Sequence, residues 1–427
     1  MTIRELYELY LKYPAVQTDS RKIKAGDIFF ALKGDNFNGN AFAAQALADG
    51  AAYAVVDEAA YATGPQYVLV TDVLQTLQQL AAHHRLQLPI PVIAITGSNG
   101  KTTTKELLIA VLSAKYKTYA TEGNLNNHIG VPLTLLKIKP DAEFAIVEMG
   151  ASHIGEIASY CRIAAPDYGL ITNCGKAHIE GFGSLEGVRK GKGELYDFLR
   201  EFSGSIFRNA DLPYLSDMAR GIDEQVTYGT ANAEIIGRAT GHNLLLQVTI
   251  LTAGLETQIQ TQLVGDYNLA NVLAAVAVGE YFDVDIDTIK KAIESYAPSN
   301  SRSQWLEKGT NKIILDAYNA NPTSMKLAIE NIAQLEADNK WLLLGAMKEM
   351  GETAAAEHQA LIDLLQQLGL KQVILTGAEY EGTRNPYPWF ATAQQLKDYL
   401  LQHPIQNATL LIKGSRGSKM ETVLDAF

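Results

Sequence analysis

Between Pro91 and Lys105 the chain reads Pro-Val-Ile-Ala-Ile-Thr-Gly-Ser-Asn-Gly-Lys-Thr-Thr-Thr-Lys, a run that few folds accommodate. Residues 92–95 are a short β-branched run suited to a fully buried strand, whereas Leu107, Leu108, Val111 and Leu112 repeat at helical spacing. Gly97 and Gly100 lie between the two. A strand that turns on glycines into a helix bares the first N–H groups of that helix, and these hold phosphate oxygens together with the positive end of the helix dipole. The pattern therefore predicts a nucleotide-phosphate loop of Gly97, Ser98, Asn99, Gly100, Lys101, Thr102 and Thr103. Lys101 would reach the β and γ phosphates of ATP, and Thr102 would ligate Mg2+. Five positions before Gly100 stands Ile95, so the loop is a shortened variant of the G-x-x-x-x-G-K-T signature.

The rest of the chain must build cores around that loop. With 47% hydrophobic and 19% charged residues in 427, the composition supports substantial cores, and at about 150 residues per domain the length suggests three domains. The net charge of −11 argues against a nucleic-acid partner, which needs a basic face. Cys161 and Cys174 are too few for a disulfide framework and read as reduced thiols of a cytoplasmic protein. Residues 1–10 form an acidic amphipathic helix and not a signal peptide. No apolar run approaches the roughly 20 residues of a membrane span, so no stable membrane insertion is expected.

Residues 1–89 alternate short strands (53–56 and 68–70) with helices (41–49 and 73–86) and read as a small α/β domain, with residues 88–91 as the linker. Residues 90–298 hold the phosphate loop and further strands at 144–148, 169–172 and 205–207. An antiparallel pair at 244–251 and 255–264 and an apolar helix at 268–282 follow. Residues 299–427 alternate again, with strands at 313–315, 342–344, 373–376 and 410–412, each followed by a helix. The fold class is α/β in three domains: a small N-terminal domain, a central P-loop ATPase-type parallel sheet with added antiparallel strands, and a C-terminal Rossmann-like domain.

Two candidates for metal work follow the phosphate loop. Glu148 closes the apolar strand at 144–148, where an unpaired carboxylate is costly to bury. His178 follows the strand at 169–172. In open α/β sheets ligands sit at the carboxyl ends of strands, so Thr102, Glu148 and His178 are placed to converge. Magnesium prefers oxygen ligands, which leaves His178 open to a second reading as a hydrogen-bonded loop histidine.

The loop Thr96-Gly-Ser-Asn-Gly-Lys-Thr-Thr-Thr104 resembles that of the Mur ligase family. So do Thr121-Glu-Gly-Asn-Leu-Asn-Asn-His-Ile-Gly-Val-Pro132, Gly175-Lys-Ala-His-Ile-Glu-Gly-Phe-Gly183, Gly265-Asp-Tyr-Asn-Leu-Ala-Asn271 and Asp316-Ala-Tyr-Asn-Ala-Asn-Pro322. The resemblance covers the whole chain. It implies an ATP- and magnesium-dependent carboxylate–amine ligase working through an acyl phosphate. The Tyr-Asn-Ala-Asn-Pro segment and Lys413-Gly-Ser-Arg416 point within the family to UDP-N-acetylmuramoyl-tripeptide as acceptor and D-alanyl-D-alanine as amine. A carboxylate brought against a γ-phosphate opposes two anions at about 4 kcal/mol per unit-charge pair at 4 Å in an effective dielectric near 20, so cations must offset the repulsion. By resemblance, Thr102 and Glu148 serve a first magnesium and His178 helps hold a second.

Further roles come from the resemblance. Lys192 matches a carbamylated lysine of the family whose oxygens meet the second magnesium, with Lys190 as a neighbouring competitor. Arg302 reaches the nucleotide phosphates when the third domain closes about a hinge at 297–301, and Asp316 accepts from ribose hydroxyls. Asn268 and Asn271 share one helix face and are suited to reading adenine, although Asn268 also suits a helix cap. Ser20 and Arg21 resemble the uridine-nucleotide contacts of the first domain, where Asn40 replaces a common histidine. Lys413, Ser415 and Arg416 are candidates for the dipeptide. Ala346 stands where relatives place aspartate, so no direct polar role is expected there. A monomer is expected. A folate-polyglutamate ligase shares the loop and second domain, but would not need the leading domain. A non-catalytic nucleotide-binding protein would have no reason to keep Glu148, His178 and Lys192 together.

Overall fold

The computed structural model describes residues 1–240, 244–252, 254–299 and 301–427. Asn300, inside the expected hinge, lies outside them. Three main sheets form in chain order. The first is a four-stranded parallel sheet in the order Val16–Gln17, Ile28–Phe30, Tyr53–Val56 and Tyr67–Leu69. The second has nine strands and the third has six.

The phosphate-loop strand, Val92–Thr96, is buried along its whole length between Tyr168–Ile171 and Phe144–Glu148, all parallel. The chain runs outward from it in both directions, toward Thr118–Ala120 on one side and Ser205–Asn209 on the other. Its carboxyl end is therefore a switch point, where the loops that follow neighbouring strands diverge and leave a crevice. Gln225–Gly229 and Ile235–Thr240 extend the parallel sheet, after which Leu245–Thr252 and Leu255–Val264 add antiparallel strands.

Each main sheet is covered on both faces. One continuous core joins the N-terminal sheet to the central one. It includes Ile28, Val55 and Val68, helix Val73–Arg85 through Leu77 and Leu80, and Val92, Ala94 and Val147. Arg85 fastens this junction, donating to the carbonyls of Ala164, Leu88 and Ala165 and pairing with Asp167 at 2.9 Å. The opposite face of the central sheet is filled by helices Lys101–Ser113 and Leu269–Tyr281. Two further clusters fill the faces of the six-stranded sheet.

Some expectations change. The last strand, Thr409–Lys413, is followed by 3-10 turns at Arg416–Ser418 and Met420–Ala426 and not by an α-helix. The expected helix at 41–49 begins as a 3-10 turn, Gly39–Phe42, before Ala43–Ala48. The six-stranded sheet also carries an antiparallel edge strand, Gln304–Lys308, paired to Asn311–Asp316.

Candidate active site

Two glycines shape the phosphate loop. Gly97 sits at φ +143°, and a Cβ there would stand 2.0 Å from Thr172 Oγ1. At Gly100, φ is +83° and a Cβ would stand 2.6 Å from Asn271 Oδ1. Both positions need the left-handed region and the close approach that only glycine tolerates. Helix Lys101–Ser113 starts directly after Gly100 with no side-chain cap, so its first N–H groups are left for an anion. The Lys101 ammonium donates to Gly97 O at 2.6 Å. Burial lowers its pKa; the charge of Glu148 opposes that shift and Arg302 reinforces it.

Behind the loop, Thr102 Oγ1 donates to Glu148 Oε2 at 2.9 Å, and Asn126 Nδ2 donates to the other carboxylate oxygen at 2.8 Å. Glu148 is buried, with Lys105 Nζ 3.8 Å away. The Glu148 N–H is received by Thr121 Oγ1, and Lys105 donates to Thr121 O at 2.7 Å. This is a buried carboxylate whose oxygens meet a hydroxyl and an amide, with an ammonium close by. Its oxygens and the Thr102 hydroxyl form a hard-donor set of the kind a magnesium–phosphate complex takes.

These groups open on a cleft of about 480 Å³ between the central and C-terminal domains. The cleft gathers Ser98, Asn99, Gly100, Lys101, Thr102, Thr103, Glu148, His178, Asn268 and Asn271 from one side, and Arg302, Asp316 and Lys413 from the other. Most of the expected nucleotide and metal residues thus share one space. Gly97 is not in the lining; it contributes the carbonyl that holds Lys101.

Other expected residues stand elsewhere. Lys192 is buried one layer behind, donating to Ala151 O at 3.1 Å with its ammonium 5.2 Å from the Phe182 ring. Burial, with repulsion from Lys101, pushes its pKa down to about 7, so a neutral amine is accessible near neutrality. Ser20 and Arg21 lie on the separate N-terminal domain. Arg21 is exposed and forks onto Asp19 at 2.8 and 2.9 Å. Asn40, in place of the common histidine, is fully buried between Asn38 and Asp57. Ser415 is also buried, and its hydroxyl is spent on Ala346 O at 2.7 Å. Its side chain is tied inside the fold, whereas Arg416 is exposed.

Asn268 and Asn271 are tied up as well. Asn268 Nδ2 donates to Val264 O at 2.9 Å, Asn271 Nδ2 to Asn268 Oδ1 at 2.8 Å, and Thr104 Oγ1 to Asn271 Oδ1 at 3.1 Å. Asn268 precedes its helix without a side-chain capping bond. Instead the pair locks that helix to the phosphate helix. His178 donates or shares its proton with Glu349, Nδ1 to Oε2 at 2.7 Å, and that bond lowers the Glu349 pKa.

Sequence reasoning missed several participants. Tyr318 lies under the Arg302 guanidinium at 3.5 Å, with Arg416 5.4 Å from the same ring. Lys413, expected at the dipeptide, pairs with Asp316, expected at the ribose, at 2.5 Å; Ser303, which was not expected, donates its N–H to the same carboxylate at 3.2 Å. Tyr267 meets Ser303 at 3.0 Å across the domains. Tyr318, Asn126 and Tyr267 all lie inside quoted motifs, which was the available signal.

A glycine loop shaped for phosphate, a buried hydroxyl–carboxylate pair and an arginine and a lysine that the third domain brings to the same cleft define a multidomain α/β nucleotide-using enzyme. Three family models match in sequence: the Mur ligase family catalytic domain over residues 12–91, the Mur ligase middle domain over 95–279, and the Mur ligase glutamate ligase domain over 301–416. The chain is 35% identical over 435 residues to the UDP-N-acetylmuramoyl-tripeptide–D-alanyl-D-alanine ligase of Escherichia coli, covering 99% of this chain and 95% of that one. A crystal structure of MurF from Acinetobacter baumannii superposes with a TM-score of 0.86 at 30% identity, over 96% of this chain and 92% of that chain. MurF ligase from Thermotoga maritima in complex with ADP gives 0.88 at 26% identity, over 98% and 97%. The chain belongs to the Mur ligase family.

Proposed function

We propose that this chain joins D-alanyl-D-alanine to UDP-N-acetylmuramoyl-tripeptide at the expense of ATP, the reaction named for its relatives, in peptidoglycan synthesis. The observation that carries the reading is the cleft. In a protein of net charge −11, it sets Lys101 beside the Thr102–Glu148 pair and brings Arg302 and Lys413 to the facing side. Three cations so placed suit a reaction that brings one anion against another.

In this reading a carboxylate oxygen of the tripeptide attacks the γ-phosphorus. The bond to the β-phosphate oxygen breaks and ADP leaves with that electron pair. The amine of D-alanyl-D-alanine then attacks the acyl carbon, releasing phosphate and losing a proton as the amide forms. Lys101 and the loop N–H groups hold the phosphates, and Arg302 closes over them from the third domain. Asp316 takes the ribose hydroxyls, and Ser20 and Arg21 hold the uridine nucleotide in the first domain. Asn268 and Asn271 line the cleft beside the loop with their amides spent on Val264 O, Thr104 and each other, so they brace the nucleotide site and do not read the base. Arg416 and Lys413 are assigned to the dipeptide side. Magnesium, when bound, would spread the charge of the transferring phosphoryl group, and Thr102, Glu148 and His178 are the residues to hold it.

Lys192 completes the metal side as a carbamate: its neutral amine adds to carbon dioxide, the nitrogen loses one proton, and a cation becomes an oxygen donor. The lowered pKa supports this. A cytoplasmic monomer divided at about residues 89 and 298 is part of the same reading. Among the described residues no helix is long and apolar enough to cross a membrane.

The test is ADP release by the purified protein given ATP, magnesium and UDP-N-acetylmuramoyl-tripeptide, with and without D-alanyl-D-alanine. Dipeptide-dependent release with a pentapeptide product is expected. Turnover only with another amine or acceptor would keep the ligase chemistry and overturn the substrates.

A further inference from the structure

Across the cleft, His178 Nδ1 and Glu349 Oε2 stand 2.7 Å apart, one from the central domain and one from the third. Both residues sit in the left-handed backbone region, at φ +51° and +63°. For a side-chain-bearing residue that conformation is strained, and it persists where the surroundings over-determine it.

The surroundings do so here. Glu349 is at the tip of a loop whose base is pinned by Met347 N donating to His358 Nε2 at 3.0 Å and by the Lys348–Glu379 ion pair. Two residues on, Gly351 also has positive φ, and a Cβ there would come within 3.3 Å of Glu180. On the other side, His178 immediately precedes helix Ile179–Phe182. The helix packs closely enough that a Cβ at Gly181 would fall 2.2 Å from Ser152 O. Two rigid turns thus meet tip to tip through one polar contact, and both tips line the nucleotide cleft.

We propose that Glu349 is a positioning residue for His178, a contact that forms when the third domain docks and fixes which imidazole nitrogen faces the reacting groups. A carboxylate accepts only from a protonated nitrogen, so the bond puts a proton on Nδ1, and in the neutral imidazole Nε2 is then the lone-pair nitrogen. Among the described residues Nε2 has no protein partner, and the cleft is the space it shares. Orientation by a carboxylate on the far ring nitrogen is how proteins set an imidazole that must present its other nitrogen to a cation or a phosphoryl oxygen. The third domain therefore does more than cover the nucleotide: it completes a group of the second. Glu349 touches no reacting atom itself. This inference rests on the ligase reading above.

The experiment compares Glu349→Ala, Glu349→Gln and His178→Ala with the parent, alone and combined. For Glu349→Ala, kcat should fall at least tenfold while the KM values for ATP and dipeptide stay within about threefold. Glu349→Gln keeps an acceptor oxygen and should recover most of the loss. In the His178→Ala background, Glu349→Ala should cost nothing more. Independently of turnover, nitrogen NMR of labelled imidazole in the closed, ATP-analogue-bound protein should show His178 with its proton on Nδ1. In Glu349→Ala it should show a tautomer mixture. Additive losses in the double variant, or an unchanged tautomer in Glu349→Ala, would overturn the proposal. An inactive parent with the tautomer effect intact would instead count against the ligase reading alone.

Discussion

Asn321 Nδ2 donates to Asn99 Oδ1 at 2.8 Å, joining the third domain to the middle of the phosphate loop. The same Asn321 caps helix Pro322–Gln334 through its oxygen, which accepts from Ser324 N at 2.9 Å. Its two ends do different jobs, and the amide nitrogen of Asn99 is left buried with no partner among the described residues. An orphaned donor beside a phosphate-binding turn is the kind of group an incoming anion satisfies.

Replacing Asn321 by Asp separates the two jobs. Aspartate caps a helix as well as asparagine does, so the melting midpoint should hold within the equivalent of about 1 kcal/mol. The donor to Asn99 is lost and a carboxylate faces the loop, so the KM for ATP should rise about tenfold. Steady-state kinetics beside a thermal melt decide it, and an unchanged KM would dismiss the bridge as incidental.

Glu148→Gln keeps the shape of the side chain and removes its charge. Thr102 and Asn126 retain partners, so the fold should survive, while Lys105 loses its counter-charge. Turnover should fall on the order of 10²–10³-fold, the range seen when one preorganised electrostatic group is removed. Raising magnesium should recover part of it if the carboxylate serves the metal; a loss indifferent to magnesium would point to packing alone.

Lys192 gives a stability prediction with a definite sign. Its pKa falls from 10.5 in the unfolded chain to about 7 in the fold. Between those values the unfolded chain binds more protons, so this group makes stability rise with pH, and its destabilising effect is complete below about pH 7. In bicarbonate-free buffer Lys192→Met should therefore raise the melting midpoint at pH 6, with the gain shrinking toward pH 10. The variant should also be inactive. A gain equal at both pH values would mean the lysine stays charged in the fold.

Gly100→Ala combines a left-handed φ with a clash against Asn271 Oδ1. Destabilisation of about 1–3 kcal/mol is expected, together with loss of ATP binding by calorimetry, since the loop must open to relieve the contact. Gly123, at φ +54° with nothing near its Cβ position, is the control: alanine there should leave ATP binding unchanged.

Of the closing motif, Arg416 and Ser415 should separate. Arg416→Ala should raise the dipeptide KM with little change in stability. Ser415→Ala leaves the Ala346 carbonyl short of a donor and should lower the melting midpoint instead. If Arg416→Ala leaves the KM unmoved, the arginine drops out of the dipeptide site.

What the chain alone disclosed follows a physical line. The strands Val92–Thr96, Phe144–Glu148 and Val373–Thr376 are wholly buried, so each reads as an apolar run closed by a single polar residue. Gln225–Gly229 and Gln304–Lys308 are half-buried or at an edge, mix polar with apolar residues, and went unread. The same division holds in the cleft. Lys101, Thr102 and Glu148 announce themselves through local pattern, whereas Glu349 and Asn321 matter only because a second domain brings them to His178 and Asn99. No window of neighbouring residues encodes that approach. Asn268 shows the converse: its position suggested a free amide or a cap, and the fold uses it as a brace.

Lys101 is held to the backbone of its own loop, its ammonium donating to Gly97 O at 2.6 Å and to Ser98 O at 3.4 Å. An ammonium has three N–H donors, so one stays for a phosphate oxygen while the two carbonyls fix where it points. The loop thus sets the aim of its lysine from within the chain. A ligand that reaches only the lysine gains a single hydrogen bond, whereas a triphosphate also engages the helix N–H groups and Arg302 across the cleft, so affinity is expected to climb with the length of the phosphate chain.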